Sequence, residues 1–252
     1  MIDFGLDNKT AMITGASRGI GEAIAVSLAQ HGAHCLLVSR KIEGLQKVAD
    51  RIADLGGRAD PMVCNISSLD DIAALFEKVK DEVGRLDILV NNAAANPYFG
   101  LMENAPGSAF DKTIAVNLRG PFYMIQHAVG LMGEGMGGSI VNISSINAVS
   151  PKPMQGVYAI TKAGLVAMTK GYAKELANRN IRVNAVLPGL TKTQFSEALF
   201  DDENIYKNAM LRIPMQRHAA PEEMAGAVVY LASDAASYTT GTTIVCDGGA
   251  LS

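Results

Sequence analysis

A tyrosine and a lysine stand four residues apart in the segment S-I-N-A-V-S-P-K-P-M-Q-G-V-Y-A-I-T-K, which runs from Ser145 to Lys162. Proline and glycine punctuate its first half, and an apolar, alanine-rich run follows, which predicts a loop and then a helix. Residues four apart share a helix face, so Tyr158 and Lys162 are predicted to lie one turn apart.

This pair has a chemical use. A free tyrosine titrates near ~10, and a nearby cation such as Lys162 would stabilise the phenolate and lower the pKa of Tyr158 toward working pH. Such a phenol can give a proton to a ketone oxygen or take it back, while the Ser145 hydroxyl holds the same oxygen. The spacing alone is weak, because a half-buried tyrosine beside a solvated lysine is common on helices. The other motifs of the chain decide between the two interpretations.

The composition predicts one soluble globular domain that covers residues 1–252. Apolar residues make up 48% and charged residues 19%, and a net charge of −3 gives no basic field for nucleic acid. No run approaches ~18 uninterrupted apolar residues and no signal peptide is recognised, so we expect a cytoplasmic protein without membrane association. The 3 cysteines are far apart and suit reduced thiols. The 4 histidines lack ligand spacing, so no metal site is expected.

A glycine-rich turn, T-G-A-S-R-G-I-G, follows a short apolar run at residues 9–14 and leads into a helical pattern. A helix that begins at such a turn directs unpaired N–H groups and its positive dipole end toward a ligand, and glycine lets a pyrophosphate approach the backbone. A dinucleotide is therefore predicted here, although glycines also close ordinary strand-helix connections. The predicted contact residues are Gly15, Ser17, Arg18, Gly19, Ile20 and Gly21.

The second predicted strand, residues 34–40, ends where the adenosine ribose of a dinucleotide would lie. An acidic residue at this place favours NAD, but Ser39 and Arg40 occupy it here. Arg40 and Arg18 could together bind a 2′-phosphate, because guanidinium groups match phosphate oxygens in a fork geometry. NADP(H) is therefore favoured over NAD(H), with an ordinary surface arginine as the alternative interpretation of Arg40.

Strand and helix patterns alternate along the rest of the chain. Further strands are predicted at residues 59–64, 86–90, 139–144, 182–186 and 242–246, and helices at about 42–56, 68–83, 107–132 and 221–233. The alternation predicts an α/β fold with a doubly wound parallel sheet flanked by helices and with ligand at the carboxyl ends of the strands. Asn65 with Ile66, and Asn92 with Ala93, follow two such ends, where each asparagine either reaches the cofactor or bonds to local backbone.

Two further segments have alternative interpretations. Asn117 interrupts an apolar helical pattern, so it either serves the structure or marks a kink whose free carbonyl holds water near Lys162. Residues 193–214 are amphipathic and follow a strand end, which suits either a lid over a substrate or a docked surface helix.

Taken together, the motifs resemble those of the classical short-chain dehydrogenases/reductases. The shared motifs are T-G-A-S-R-G-I-G at 14–21, N-N-A-A at 91–94, Asn117, N-I-S-S ending at Ser145, Y-A-I-T-K at 158–162 and P-G-L-T-K-T at 188–193. They span nearly the whole chain in the family's order and spacing. Two departures, Asn65 in place of aspartate and Ala94 in place of glycine, occur within such folds.

The resemblance implies a one-domain Rossmann fold, a homotetramer and a catalytic tetrad of Asn117, Ser145, Tyr158 and Lys162. Tyr158 would be the acid/base, and Lys162 would lower its pKa and bind the nicotinamide ribose. Ser145 would position the carbonyl, and Asn117 would support a water-linked proton relay. The implied cofactor contacts are Tyr158, Lys162, Pro188, Gly189, Thr191 and Thr193.

The expected activity is NADP(H)-dependent interconversion of a ketone or aldehyde and its alcohol by hydride transfer. The segment N-A-A-A-N-P-Y-F-G is similar to the branch of NADP-dependent retinol dehydrogenases and carbonyl reductases. One alternative is a 3-oxoacyl-[acyl-carrier-protein] reductase, whose acidic carrier could meet Lys192, Lys207, Arg212 and Arg217. The alternative of another class is a non-catalytic dinucleotide-sensing protein, which would have no need of the whole tetrad.

Overall fold

A computed structural model describes residues 3–133, 137–193, 206–207 and 210–252 of the chain. Seven strands of this part form one parallel sheet. They are β1 (Thr10–Thr14), β2 (His34–Ser39), β3 (Arg58–Val63), β4 (Ile88–Asn91), β5 (Gly138–Ile143), β6 (Ile181–Pro188) and β7 (Thr243–Cys246). Their order in the sheet is β3-β2-β1-β4-β5-β6-β7. After β1, strands β2 and β3 are added on one side of it, and β4 to β7 are added on the other side. The carboxyl ends of β1 and β4 therefore flank the crevice where such folds bind ligands.

Helices connect the strands on both faces of the sheet. They are α1 (Gly19–Gln30), α2 (Ile42–Asp54), α3 (Leu69–Glu82), α4 (Gly107–Ile114), α5 (Gly120–Leu131), α6 (Gly156–Leu176) and α7 (Glu222–Ala232). A π-turn at Ala115–Arg119 joins α4 to α5, and short 3₁₀ turns lie at Met102–Asn104, Ile146–Ala148, Ala177–Arg179 and Asp234–Ala236. The predicted single-domain α/β fold is confirmed. None of the described helices is long and apolar enough to cross a lipid bilayer.

Strand residues alternate between two apolar layers, which fixes the sheet between its helices. Ala11 and Ile13 join the layer covered by α1, α2 and α7, whereas Met12 joins the layer covered by α3, α5 and α6. Both layers are fully buried at these positions. Parallel strands buried on both faces read as continuous apolar runs, which is the pattern that the sequence shows.

Most of the predicted lid lies outside the described residues, namely 194–205 and 208–209. At the described end of that segment, the Ile213 side chain is buried. Just beyond it, the Met215 N–H donates to the carbonyl of Gly248 (3.1 Å). The choice between a lid and a docked surface helix stays a prediction.

A half-buried arginine on β6 caps the carboxyl end of α7. The Arg182 guanidinium donates to the carbonyls of Leu231 (2.6 Å), Ala232 (3.4 Å) and Ser233 (3.1 Å). Ser139 on β5 adds a hydroxyl bond to Leu231 O (2.8 Å). These donors satisfy carbonyls that a helix end leaves unpaired, so the contacts join α7 to two central strands.

We expect Arg182→Met to destabilise the protein by about 1–3 kcal/mol, because the variant leaves buried carbonyls without a charged donor. Chemical denaturation of both proteins measures the loss. The matched control is Arg51→Met, which removes an exposed pair with Glu22 (2.9 Å) and should change stability by no more than about 1 kcal/mol. Equal effects of the two substitutions would contradict a capping role for Arg182.

Candidate active site

The glycine turn after β1 leaves the start of α1 available to an anion. Gly15 and Gly19 have φ angles of +67° and +60°, in the left-handed region that favours glycine. The residue that caps α1, Arg18, gives no side-chain hydrogen bond to the first turn, whereas Ser68 at the start of α3 accepts the Asp71 N–H (3.2 Å). The uncapped N–H groups and dipole of α1 suit a pyrophosphate, so these residues fit the dinucleotide that the sequence predicts.

The turn is tightly packed against the end of β4. A Cβ atom at Gly21 would lie 2.3 Å from Gly15 O and 2.4 Å from Asn92 Nδ2, so only glycine fits there. The Asn92 amide donates to the carbonyls of Thr14 (2.9 Å) and Gly15 (3.2 Å). In turn the Thr14 hydroxyl accepts the N–H groups of Asn92 (3.0 Å) and Ala93 (3.1 Å). Asn92 therefore bonds to backbone, as one of its two interpretations predicted.

Asn65 follows β3 and also bonds locally. Its Oδ1 accepts the backbone N–H (3.3 Å) and the hydroxyl (2.8 Å) of Ser67. Its neighbour Ile66 is buried, and a Cβ atom at Gly120 would come within 2.6 Å of the Ile66 carbonyl. The described contacts thus support the local interpretation of Asn65, with its amide shaping the loop at the strand end.

Exposed arginines lie beside the glycine turn and after β2. Arg18 and Arg40 are both exposed, and the Ser39 hydroxyl donates to a backbone carbonyl two residues further on (3.2 Å). A Cβ atom at Gly44 would lie 2.9 Å from the Ser17 Cβ, which shows how closely the start of α2 packs on the turn. This packing holds the two arginine-bearing loops next to each other.

The loop after β6 reaches the same crevice. Pro188 ends β6, the Gly189 N–H donates to the carbonyl at the end of β7 (2.8 Å), and the Thr191 hydroxyl donates to Gly189 O (3.2 Å). A Cβ atom at Gly19 would lie 3.3 Å from Thr193 Cγ2. The structure therefore brings Thr193, from the loop after β6, next to the glycine turn after β1.

Ser145, Tyr158 and Lys162 come together between the end of β5 and the first turns of α6, and all three are buried. Ser145 begins the 3₁₀ turn, accepts the Asn147 N–H (3.1 Å) and is hydrogen-bonded to Tyr158. The Lys162 Nζ lies 5.5 Å from the centroid of the Tyr158 ring and donates to Ile143 O (2.7 Å).

The protonation of this pair differs from the sequence-based expectation. Burial raises the pKa of Tyr158 to about 12, and the hydrogen bond with Ser145 offsets only part of that rise. Burial also lowers the pKa of Lys162 to about 7, because a low-dielectric surrounding disfavours the ammonium. The pKa of Tyr158 therefore lies above its ordinary value rather than below it, because desolvation outweighs the Ser145 hydrogen bond. A lowering effect of Lys162 on this pKa stays a prediction.

Asn117 lies inside the π-turn and is buried. Its Oδ1 accepts the Ala95 N–H (2.7 Å), and its Nδ2 donates to Ala95 O (2.9 Å) and to the Thr161 hydroxyl (3.1 Å). The side chain thus joins the loop after β4 to the helix that carries Tyr158. The π-turn interrupts the α-helical pattern here, a feature frequent at functional sites, and the kink with its water relay stays a prediction.

Two hydroxyl groups that the sequence analysis did not single out fix the same helix. The Ser144 hydroxyl donates to Lys162 O (2.8 Å), and the Thr161 hydroxyl donates to Tyr158 O (2.7 Å). Their position next to motif residues was the only sequence signal for them. Both are buried, so they hold the carbonyls of the helix turn rather than a ligand.

The lowered pKa of Lys162 predicts a pH-dependent stability. Between pH 7 and pH 10 the Lys162 amine is protonated in the unfolded chain but not in the folded chain. The free energy of unfolding therefore increases as pH rises through this range and decreases as pH falls. We expect Lys162→Met to gain stability relative to the parent as pH falls from 9 to 7, by up to about 1.4 kcal/mol per pH unit. Denaturant titrations at both pH values measure this, with the exposed Lys170→Met as control. A pH-independent difference would contradict the lowered pKa.

Comparison with known proteins places this geometry in a family. A family model described as enoyl-(acyl carrier protein) reductase matches residues 15–250. The 3-oxoacyl-[acyl-carrier-protein] reductase FabG of Thermotoga maritima is 42% identical, with 97% of this chain and 98% of that protein aligned. Human dehydrogenase/reductase SDR family member 4 is 40% identical over 97% of this chain and 88% of that protein.

Solved structures agree with the sequence relatives. The crystal structure of a gluconate 5-dehydrogenase from Burkholderia cenocepacia J2315, in complex with NADP and tartrate, superposes with a TM-score of 0.94 at 32% identity and covers 99% of this chain and 98% of that one. Fold, motif order and relatives coincide over the whole described length. The chain belongs to the classical short-chain dehydrogenase/reductase family of oxidoreductases.

Proposed function

We propose that the protein is an NADP(H)-dependent oxidoreductase that reduces a ketone or aldehyde to the alcohol and runs in reverse as an alcohol dehydrogenase. The observation that carries the proposal is the buried Tyr158 hydroxyl, hydrogen-bonded to Ser145 and next to Lys162 at the carboxyl edge of the sheet. A phenol and a second hydroxyl at one point suit a carbonyl oxygen on which charge develops.

The protonation of Tyr158 favours the reduction direction. With a pKa of about 12 the phenol keeps its proton throughout the neutral range, so it can donate that proton to the carbonyl oxygen as the alkoxide forms. Ser145 holds the same oxygen by a hydrogen bond. When bound, the nicotinamide supplies the hydride. Lys162 would hold the nicotinamide ribose, and the π-turn at Asn117 would position water that returns the proton to Tyr158.

The cofactor preference that we propose is NADP(H) over NAD(H). It is supported by the two exposed arginines, Arg18 and Arg40, and by the lack of a carboxylate at the end of β2. Two guanidinium groups provide charge-assisted hydrogen bonds to a 2′-phosphate. The gluconate 5-dehydrogenase structure, which holds NADP, is consistent with this choice.

A second candidate is 3-oxoacyl-[acyl-carrier-protein] reduction, favoured by the FabG relative. An acidic carrier protein requires free cations at the site mouth. Arg217 is already paired with Glu223 through two bonds of 2.7 Å, and this pair holds the pKa of Glu223 down to about 2. At least one of the four cations that the sequence offers is thus engaged within the chain, so carbonyl reduction without a carrier remains our first choice. A purely sensing protein would not require the tetrad.

Assembly and location complete the proposal. Apolar residues are exposed on the packed helices α4, α5 and α6 at Phe110, Phe122 and Ile160, and near the β7 edge at Tyr238 and Val245. Two separate apolar faces suit a homotetramer. All three cysteines are free thiols, and burial raises the pKa of two of them to about 12 and about 11. Such thiols suit the reducing cytoplasm.

The test is loss of NADPH or NADH absorbance against a panel of ketones, diketones, retinal and an acetoacetyl thioester. We expect turnover with NADPH on one carbonyl class and much slower turnover with NADH. Tight NADPH binding without turnover of any carbonyl would contradict the reductase proposal and favour the sensing protein. Turnover only with the acetoacetyl thioester would favour the second candidate.

A further inference from the structure

The π-turn at Ala115–Arg119 contacts the loop after β3, although the two adjoin opposite ends of the predicted cofactor site. This loop, residues 65–68, is called the β3 loop below. Just before it, the Cys64 N–H donates to Ser39 O at the end of β2 (2.9 Å), so the β3 loop adjoins the place predicted for the adenosine ribose. The π-turn instead is hydrogen-bonded to α6, the helix that carries Tyr158.

The end of the π-turn packs directly on the backbone of the β3 loop. A Cβ atom at Gly120, the residue after the π-turn, would lie 2.6 Å from Ile66 O and 3.3 Å from Ala115 O. A carbonyl of the loop and the first carbonyl of the π-turn thus close on the same glycine. Because closely packed groups transmit strain, a shift of the backbone at Ile66 would displace the π-turn.

Two cations from the same segment bind the β3 loop at Ser67. Arg119, the last residue of the π-turn, donates from Nη2 to Ser67 O (3.0 Å), and Lys112 on α4 donates from Nζ to the Ser67 hydroxyl (3.3 Å). The Ser67 hydroxyl in turn donates to Asn65 Oδ1 (2.8 Å). One connected set of hydrogen bonds therefore joins Asn65, a predicted cofactor contact, to the π-turn.

The polar residues of the π-turn A-V-N-L-R are Asn117 and Arg119, and they bond in different directions. The Asn117 Nδ2 donates to the Thr161 hydroxyl (3.1 Å), which donates to Tyr158 O (2.7 Å). Arg119 bonds to the β3 loop. The π-turn thus stands between the loop at the adenosine end and the helix turn that holds the phenol.

We propose that Arg119 is a positioning residue that couples the adenosine end of the bound cofactor to the π-turn. A cofactor that contacts the β3 loop fixes Ser67, and the bond from Arg119 then holds the π-turn in the arrangement in which Asn117 supports the helix of Tyr158. Arginine suits this role because its planar fork loses little side-chain entropy per hydrogen bond. The proposal rests on the cofactor site given under the proposed function.

The first test is amide hydrogen exchange with adenosine 2′,5′-bisphosphate, the adenosine half of NADP(H) without the nicotinamide. We expect this probe to slow exchange at residues 65–68 and also at 115–120, the latter by about three- to tenfold, the factor that one hydrogen bond confers. In Arg119→Met the effect at 65–68 should persist and the effect at 115–120 should disappear, whereas Arg119→Lys, which keeps one charged donor, should retain part of it. The matched control is Arg179→Met, because Arg179 donates to Val129 O (3.1 Å) near the other end of α5.

The second test uses reduced nicotinamide mononucleotide, which lacks the adenosine half, as the hydride donor for a carbonyl substrate. Addition of the same probe should accelerate reduction in the parent and in Arg179→Met by about three- to tenfold. The acceleration should be lost in Arg119→Met. A merely structural role of Arg119 would lower the rates with and without the probe by the same factor, and that result would contradict the coupling.

Protection of residues 115–120 that persists in Arg119→Met would overturn the proposal, as would a bound probe that protects only residues 65–68 in the parent. A probe that does not bind would contradict the proposed cofactor site and the coupling with it. Hydrogen exchange does not depend on turnover, so coupled protection in a protein that reduces no carbonyl would support the role of Arg119 and contradict only the reductase proposal.

Discussion

Replacement of Tyr158 by phenylalanine is expected to reduce kcat by about 10²–10⁴-fold, the contribution of a positioned general acid. Phenylalanine keeps the buried ring and its place near Lys162 but removes the proton and the hydrogen bond to Ser145. Because the hydroxyl is not part of the glycine turn, the Kd for NADPH should change by no more than about threefold. Steady-state kinetics and NADPH fluorescence titration measure the two quantities.

The matched control is Tyr172→Phe, on the same helix but half-buried, with its ring tilted against that of Phe122 at a centroid distance of 5.9 Å. That variant keeps the ring contact and should retain the parent kcat. Retained activity in Tyr158→Phe would remove Tyr158 from proton transfer. Equal losses in both variants would assign the effect to helix packing rather than to chemistry.

Replacement of Arg40 by aspartate is expected to exchange the cofactor preference. Loss of a charge-assisted bond to the 2′-phosphate should lower kcat/KM for NADPH by about 10–100-fold, since such bonds contribute about 1.5–3 kcal/mol. The new carboxylate also repels the phosphate and can accept the ribose hydroxyls of NAD. The efficiency with NADH should therefore rise. Kinetics with both cofactors at a saturating carbonyl concentration measure the exchange.

Arg58→Asp is the control for a general charge effect, because Arg58 is exposed at the amino end of β3. This substitution makes the same change in net charge, but at the amino ends of the strands, away from the crevice at their carboxyl ends. The cofactor preference should therefore stay as in the parent. Unchanged NADPH affinity in Arg40→Asp would remove Arg40 from the phosphate site and leave Arg18 as the remaining candidate.

The fold and the site's position were predictable because they depend on periodicity and on residues with few conformational options. Apolar runs separated by helical patterns predict parallel strands buried on both faces, and the structure has them. Gly15 and Gly21 mark a turn that no other residue can make, one through its φ angle and the other through contacts as short as 2.3 Å. Tyr158 and Lys162 share a helix face by spacing alone.

The rest depends on contacts between distant segments, which one sequence does not display. Asn65 and Asn92 were each compatible with ligand or backbone, and only packing showed that both bond locally. The pKa of Tyr158 depends on how deeply the ring is buried, which the spacing of Tyr158 and Lys162 does not reveal. Arg182 reads as an ordinary strand residue, because the carbonyls that it caps lie about fifty residues further along the chain.

The most direct test of the central claim uses NADPH that carries deuterium at the nicotinamide C4, with each face labelled in a separate sample. We expect one of the two samples to transfer its label to the former carbonyl carbon of the alcohol, in equal amount to the NADPH consumed. Tyr158→Phe should slow the transfer without changing the labelled face. Label that appears in water, or alcohol that forms unlabelled in both samples, would contradict hydride transfer at this site.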